Sequence, residues 1–123
     1  MYNLHMEGLI KFLKSFVYAF NGIKTAYAER NLRIQTIIGI IVLVFSFMVH
    51  VSAVERLIIA LCITIVLVGE ITNSAIERLL DFVSKEQREE IGIIKDLIAG
   101  AVLILSFMSF VVGIWIFGNA FFF

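Results

Sequence analysis

A chain of 123 residues has room for one domain, and its apolar fraction of 61% with mean hydropathy +1.02 lies well above the roughly 45–50% of soluble domains. That balance excludes a soluble globular domain and points to an integral membrane protein. Ten basic residues offset ten acidic ones, so there is no net charge to draw a nucleic acid. The lone Cys62 excludes an intrachain disulfide and any cysteine-based metal motif. No proline interrupts a helix.

Residues 6–27 are predicted to form an amphipathic helix lying on the membrane surface. Leu9, Leu13, Phe16 and Phe20 share one face, widened by Ile10, Phe12, Val17 and Ile23. Lys11, Lys14, Ser15, Tyr18, Asn21 and Thr25 fall opposite. Lysines on the polar face suit anionic headgroups. The next segment, AERNLRIQ, is a polar junction in which Glu29 and Arg33 are spaced to pair along a helix.

Three spans follow, at 35–53, 57–76 and 97–117. Thr36–Ala53 carries no full charge, and Leu57–Gly69 none at all; about 20 apolar residues cross a hydrocarbon core. The helix of the second span is expected to run on through Asp81 toward Val83. Ser84–Lys95 is the longest polar segment, with Glu86, Glu89 and Glu90 on a solvated face. Leu97–Phe123 again has no charge. Gly100, Ala101 and Ser106 are small enough for close helix packing. Trp115, Phe117, Phe121, Phe122 and Phe123 are expected to form an interfacial aromatic belt. Nine of the ten basic residues lie before the first span or between the second and third; only Arg56 lies on the other side. The positive-inside rule then makes the N-terminus cytoplasmic and the C-terminus external. The N-terminus lacks the order of a cleaved signal peptide, so the first span is expected to serve as its own signal.

The stretch that carries chemistry is GEITNSAIERLLD, Gly69–Asp81. At about 100° per residue, Glu70, Asn73, Glu77 and Asp81 fall within roughly an 80° arc of one helix face. Ionisable groups at membrane depth are costly and usually functional. The orientation puts them on the cytoplasmic side together with Glu29, Lys95 and Asp96. Carboxylates suit a hard divalent cation that keeps substrate phosphates as further ligands. A carboxylate near the apolar zone suits general-base work on a hydroxyl, and a lysine can offset charge on a phosphoryl group. Phosphoryl transfer to a lipid alcohol, a proton-coupled transporter or pore built around Glu70, and a structural polar network all fit this set. A GxxxxGK[ST] loop and a GxGxxG turn are both missing, so any nucleotide is held by metal and side chains.

These residues resemble the bacterial integral-membrane diacylglycerol kinase and undecaprenol kinase family. The family motif E-x-x-N-[TS]-A-[IV]-E-x-x-x-D stands here as Glu70-Ile-Thr-Asn73-Ser-Ala-Ile-Glu77-Arg-Leu-Leu-Asp81. K-D-x-x-[AS]-[GA]-A-V-L stands as Lys95-Asp96-Leu-Ile-Ala99-Gly100-Ala101-Val102-Leu103. The E-R-N-x-R-I-H type stands as Glu29-Arg30-Asn31-Leu-Arg33-Ile34-Gln35. The likeness covers essentially the whole chain.

The resemblance implies an all-α membrane protein, one domain over residues 1–123, with a surface helix, three spans and a homotrimeric bundle whose sites are shared between subunits. It implies a bacterial inner or plasma membrane location. It also implies transfer of phosphate from ATP to undecaprenol or diacylglycerol, with Mg²⁺ as cofactor. By the same resemblance Glu70 is the catalytic base and Asn73 the amide that positions acceptor and phosphate. Glu29 and Glu77 hold the metal that bridges the ATP phosphates. Lys95 contacts the nucleotide phosphates and Asp96 is its essential neighbour. The ERNLRIQ segment leans toward the undecaprenol-using branch. Gln35 replaces a histidine common in Gram-positive-like members, and Gly92 stands where many relatives carry a lysine.

Overall fold

The computed structural model describes residues 4–83 and 88–122. They form four helices: α1 (Leu4–Ala26), α2 (Arg30–Met48), α3 (Ala53–Val83) and α4 (Glu89–Phe122). Lys85, Glu86 and Phe123, all part of the sequence expectations, lie outside the described residues. Both α2 and α4 are long and apolar enough to cross a membrane. At about 1.5 Å per residue, the 31 residues of α3 and the 34 of α4 outreach a hydrocarbon core of about 30 Å. Their excess lies at the polar end. There the end of α3 and the start of α4 run as an antiparallel pair.

The main difference from the sequence reading is where α4 starts. The helix begins at Glu89, eight residues before the expected span. Hydropathy marks where a helix meets lipid, whereas a helix continues into water wherever its amides stay bonded. The helical extent of α1 and the end of α3 at Val83 agree with expectation.

α1 leaves its apolar face uncovered. Phe16 is 52% exposed and Phe20 69%, and only Ala26 of this helix is buried. Phe12 and Phe16 meet edge to face at 5.2 Å, which keeps two large rings together on that face. The helix tightens before it stops, with Ala28 N–H bonded to Thr25 O and Glu29 N–H to Ala26 O. Glu29 is then extended (φ −83°, ψ 132°) and is the N-cap of α2, without a side-chain capping bond.

The α2–α3 turn is braced by side chains. Ser52 and Glu55 form a reciprocal capping box: Glu55 N–H donates to Ser52 Oγ at 3.1 Å, and Ser52 N–H to Glu55 Oε1 at 3.2 Å. Arg56 Nη2 donates to the carbonyls of Ser46 (3.3 Å) and Val51 (3.2 Å). Its guanidinium lies 4.2 Å from the Phe47 ring centre. One of the carbonyls that α2 cannot satisfy internally thus finds a donor, and the cation rests on an aromatic face.

α3 is the centre of the packing, against α4 on one side and α2 on the other. A small core of Val51, Ile59 and Ile116 sits at the capped end, flanked by Val42, Ile63 and Val112. Phe117 and Phe121 share ring contacts with Phe45, at 5.2 and 5.9 Å. Of the residues expected in the aromatic belt, Trp115, Phe121 and Phe122 stay 71%, 59% and 82% exposed. Large apolar side chains elsewhere along α2 and α4, such as Ile41 and Phe107, are exposed. Only hydrocarbon or further protein covers such a surface favourably.

Within the chain the close approaches are made at Gly39 and Gly69. A Cβ at Gly39 would lie 2.7 Å from Ile63 Cγ2, and one at Gly69 would lie 2.8 Å from Leu105 Cδ1. A Cβ at Gly100 would meet nothing within 4 Å, and Ala101 is exposed. The Leu105 methyl is the end of a flexible chain and can swing away. The Ile63 methyl is on a β-branched carbon and is stiff. Gly39→Leu should therefore cost about 1–3 kcal/mol by overpacking. Gly69→Ala should be near neutral or stabilising, since alanine gains about 1 kcal/mol of helix propensity. Thermal unfolding of both variants in detergent checks the contrast; equal midpoints would contradict it.

Candidate active site

Among the described residues, three side-chain contacts tie the polar half of α3 to its neighbours at successive depths. At the deepest level Gln35 Nε2 on α2 donates to Glu70 Oε1 at 2.9 Å, both half-buried. Asn73 stands one turn further along the same face, half-buried, and its Oδ1 is buried without a partner. The Oε1 of Gln35 is in the same condition. Unpaired buried acceptors are costly, and two of them beside one carboxylate mark a place made for a donor.

The middle level lies at the α1–α2 junction. Ser74 Oγ donates to Glu29 Oε2. The expected pairing of Glu29 with Arg33 does not form. Glu29 is outside the helix, so the i, i+4 geometry that such a pair needs is missing. Ser74 and Glu77 are three apart on α3 and so are neighbours on its surface. The serine therefore brings the Glu29 carboxylate to within about a turn of Glu77, which is exposed.

At the outermost level Lys95 Nζ meets Asp81 Oδ1 at 2.9 Å, with the side chains 37% and 69% exposed. The sequence leaves the partner of Asp81 open; in the fold it faces Lys95 of α4. The register follows from packing. Gly69 is opposed by Leu105, and an antiparallel partner then brings position 95 level with 79–81. Asp96 is exposed beside it. Lys95 and Asp96 thus stand beside Glu77 and Asp81. Glu70 lies about 16 Å deeper along the axis from Asp81. An exposed ion pair is worth about 0–1 kcal/mol, so Lys95 is readily released to a stronger anion.

Two positions in this network were not assigned from sequence. Ser74 stands only as a letter within the Glu70–Asp81 motif, and Gln35 as a departure from a family pattern. Both act between helices, and spacing within one helix does not reveal them.

The donor set fits a hard divalent ion. Among the described residues no three histidines, cysteines or carboxylates converge as a self-sufficient metal group. The Ser74 bond sets the Glu29 carboxylate about one helical turn from Glu77. One or two carboxylates plus substrate phosphates and water is the usual way such a site holds Mg²⁺.

Residues 17–117, which include every candidate site residue, match the model of prokaryotic diacylglycerol kinase. The chain belongs to the prokaryotic diacylglycerol kinase family. Its chemistry is that of a lipid kinase. Among relatives of this family, the undecaprenol kinase of Bacillus subtilis (strain 168) is 36% identical over 92% of this chain and 93% of that protein. The diacylglycerol kinase of Synechocystis sp. is 35% identical over 82% of this chain and 59% of that protein. The diacylglycerol kinase of Escherichia coli (strain K12) is 30% identical over 79% and 80%. Kinase family membership implies ATP as phosphoryl donor and a divalent metal, and the family together with the apolar helices indicates a membrane location.

Proposed function

We propose that this chain transfers the γ-phosphoryl group of ATP to the hydroxyl of a membrane lipid alcohol at the cytoplasmic face, with undecaprenol as the favoured acceptor. The observation that carries the reading is the graded line on α3. Glu70, clasped by Gln35, closes the charge-free run Leu57–Gly69, and Glu77 with Glu29 follows toward water. A lipid hydroxyl reaches Glu70 from the bilayer, and nucleotide phosphates reach Glu77 from the opposite direction.

In this reading Gln35 occupies Glu70 Oε1, and Oε2 takes the hydroxyl proton. The alcohol oxygen forms a bond to the γ-phosphorus as the bond from phosphorus to the β–γ bridging oxygen breaks, releasing ADP. Asn73 orients the acceptor and the phosphoryl group. Glu29 and Glu77 would hold Mg²⁺, which supplies charge neutralisation on the phosphate oxygens. Lys95 leaves Asp81 to meet the same oxygens, with Asp96 beside it. Positioning and electrostatics do most of the work in such a transfer.

The wider assembly belongs to the same proposal. α3 crosses the bilayer as the second of three spans, on the strength of its charge-free run between two spanning helices. The N-terminus is cytoplasmic, following the basic residues. The chain acts as one domain over residues 1–123. Three copies associate and share sites, and this would cover the apolar faces of α2 and α4. Undecaprenol is favoured over diacylglycerol by the ERNLRIQ segment and by the undecaprenol kinase relative, which matches over nearly the full length of both chains. The test supplies purified protein in lipid with labelled ATP and either undecaprenol or diacylglycerol, then both in competition. Faster labelling of undecaprenol is expected. Preference for diacylglycerol would reverse the acceptor assignment, and no labelling of either by folded protein would sink the kinase reading.

A further inference from the structure

We propose that Gln35 is a positioning residue: its amide fixes the Glu70 carboxylate so that one chosen oxygen, Oε2, faces the acceptor hydroxyl. The inference rests on the reading of Glu70 as the base. A carboxylate on a three-bond side chain has two equivalent oxygens and several rotamers. A single donor bound to one oxygen removes that freedom, and Gln35 Nε2 does so at 2.9 Å from Oε1.

The surroundings make this bond effective. Gln35 is the polar end of an apolar cavity of about 400 Å³ between α2, α3 and α4, which continues past Gly39, Ile63 and Val66 toward Phe117. A hydrogen bond bordering such a space is stronger than one in water. Gln35 is neutral, so it does not compete for the acceptor's proton at neutral pH. Its own Oε1 is buried and unpartnered, so Glu70 is its only side-chain partner among the described contacts. The close approach of α2 to α3 at Gly39, one turn further along, sets the distance across which this amide works.

The experiment compares unaltered protein with Gln35→Met, which keeps the unbranched shape without a donor, and Gln35→His, whose ring N–H can donate. Steady-state turnover is measured against ATP and against the lipid acceptor, with circular dichroism as the folding check. Gln35→Met should lower kcat about 10–100-fold, the scale of a base misplaced by about 1 Å, with both KM values nearly unchanged. Gln35→His should recover most of that loss. Unchanged kcat in Gln35→Met overturns the inference. So does a change confined to the acceptor KM, which would make Gln35 a lipid contact, or a folded Gln35→His as slow as Gln35→Met. Failure of the kinase reading is seen separately, as absence of turnover in the unaltered protein, and removes this inference with it.

Discussion

Glu70→Gln should lose nearly all phosphoryl transfer while the protein keeps its fold. The amide has the size of the carboxylate, so the helix contacts of α3 are undisturbed. Its oxygen can still accept from Gln35 Nε2, as Glu70 Oε1 does now at 2.9 Å. Its new N–H can also serve one of the two buried oxygens that lack a partner, Gln35 Oε1 or Asn73 Oδ1. What is lost is the capacity to take a proton. A positioned general base contributes about 10²–10⁴-fold, so kcat should fall by that factor with the melting temperature in detergent nearly unchanged. Turnover within a few-fold of the unaltered protein would remove Glu70 from the base role. Unfolding would show that the carboxylate braces the bundle.

The second large effect concerns the metal. Glu77→Gln should raise the Mg²⁺ concentration needed for half-maximal turnover and lower kcat even at saturating Mg²⁺. A Lewis acid on phosphoryl oxygens is worth several kcal/mol, and about 1.4 kcal/mol is tenfold in rate; a loss of about 10²–10³-fold follows. Glu29→Gln should act in the same direction, since its amide oxygen can keep the Ser74 contact while the charge is gone. Chelation by EDTA should stop the unaltered enzyme, and added Mg²⁺ should restore it. A metal requirement identical in all three proteins would contradict the assignment of Glu29 and Glu77 as ligands.

Much of this is visible in the chain without coordinates, for a physical reason. The alignment of Glu70, Asn73 and Glu77 is a matter of helical period, and period is local. So are the charge-free runs, and so is the amphipathic character of 6–27. What could not be read from spacing is register between helices. Asp81 meets Lys95 because Gly69 sets α3 against Leu105 of α4, and no pattern within either segment says so. Glu29 turned from Arg33 to Ser74 because the chain is extended at 29. Within its own segment Gln35 is only a departure from a family pattern; its partner is 35 positions away. Small size at Gly100 licenses close packing without saying which side is packed, and within the chain nothing lies within 4 Å of its Cβ direction.

The two helix starts on the α2–α3 hairpin differ, and the difference bears on how this protein should be engineered. α3 begins with a reciprocal serine–glutamate box, whereas α2 begins at Glu29, whose side chain does not return to the helix it opens. Aspartate, serine or threonine at that position would cap α2 and add about 1 kcal/mol. A screen for higher melting temperature would favour those shorter side chains. It would also withdraw the carboxylate from Ser74 and from the neighbourhood of Glu77. On the metal role proposed for Glu29, selection for robustness alone would yield a sturdier and idle protein, so residue 29 should be held constant in any stabilised version.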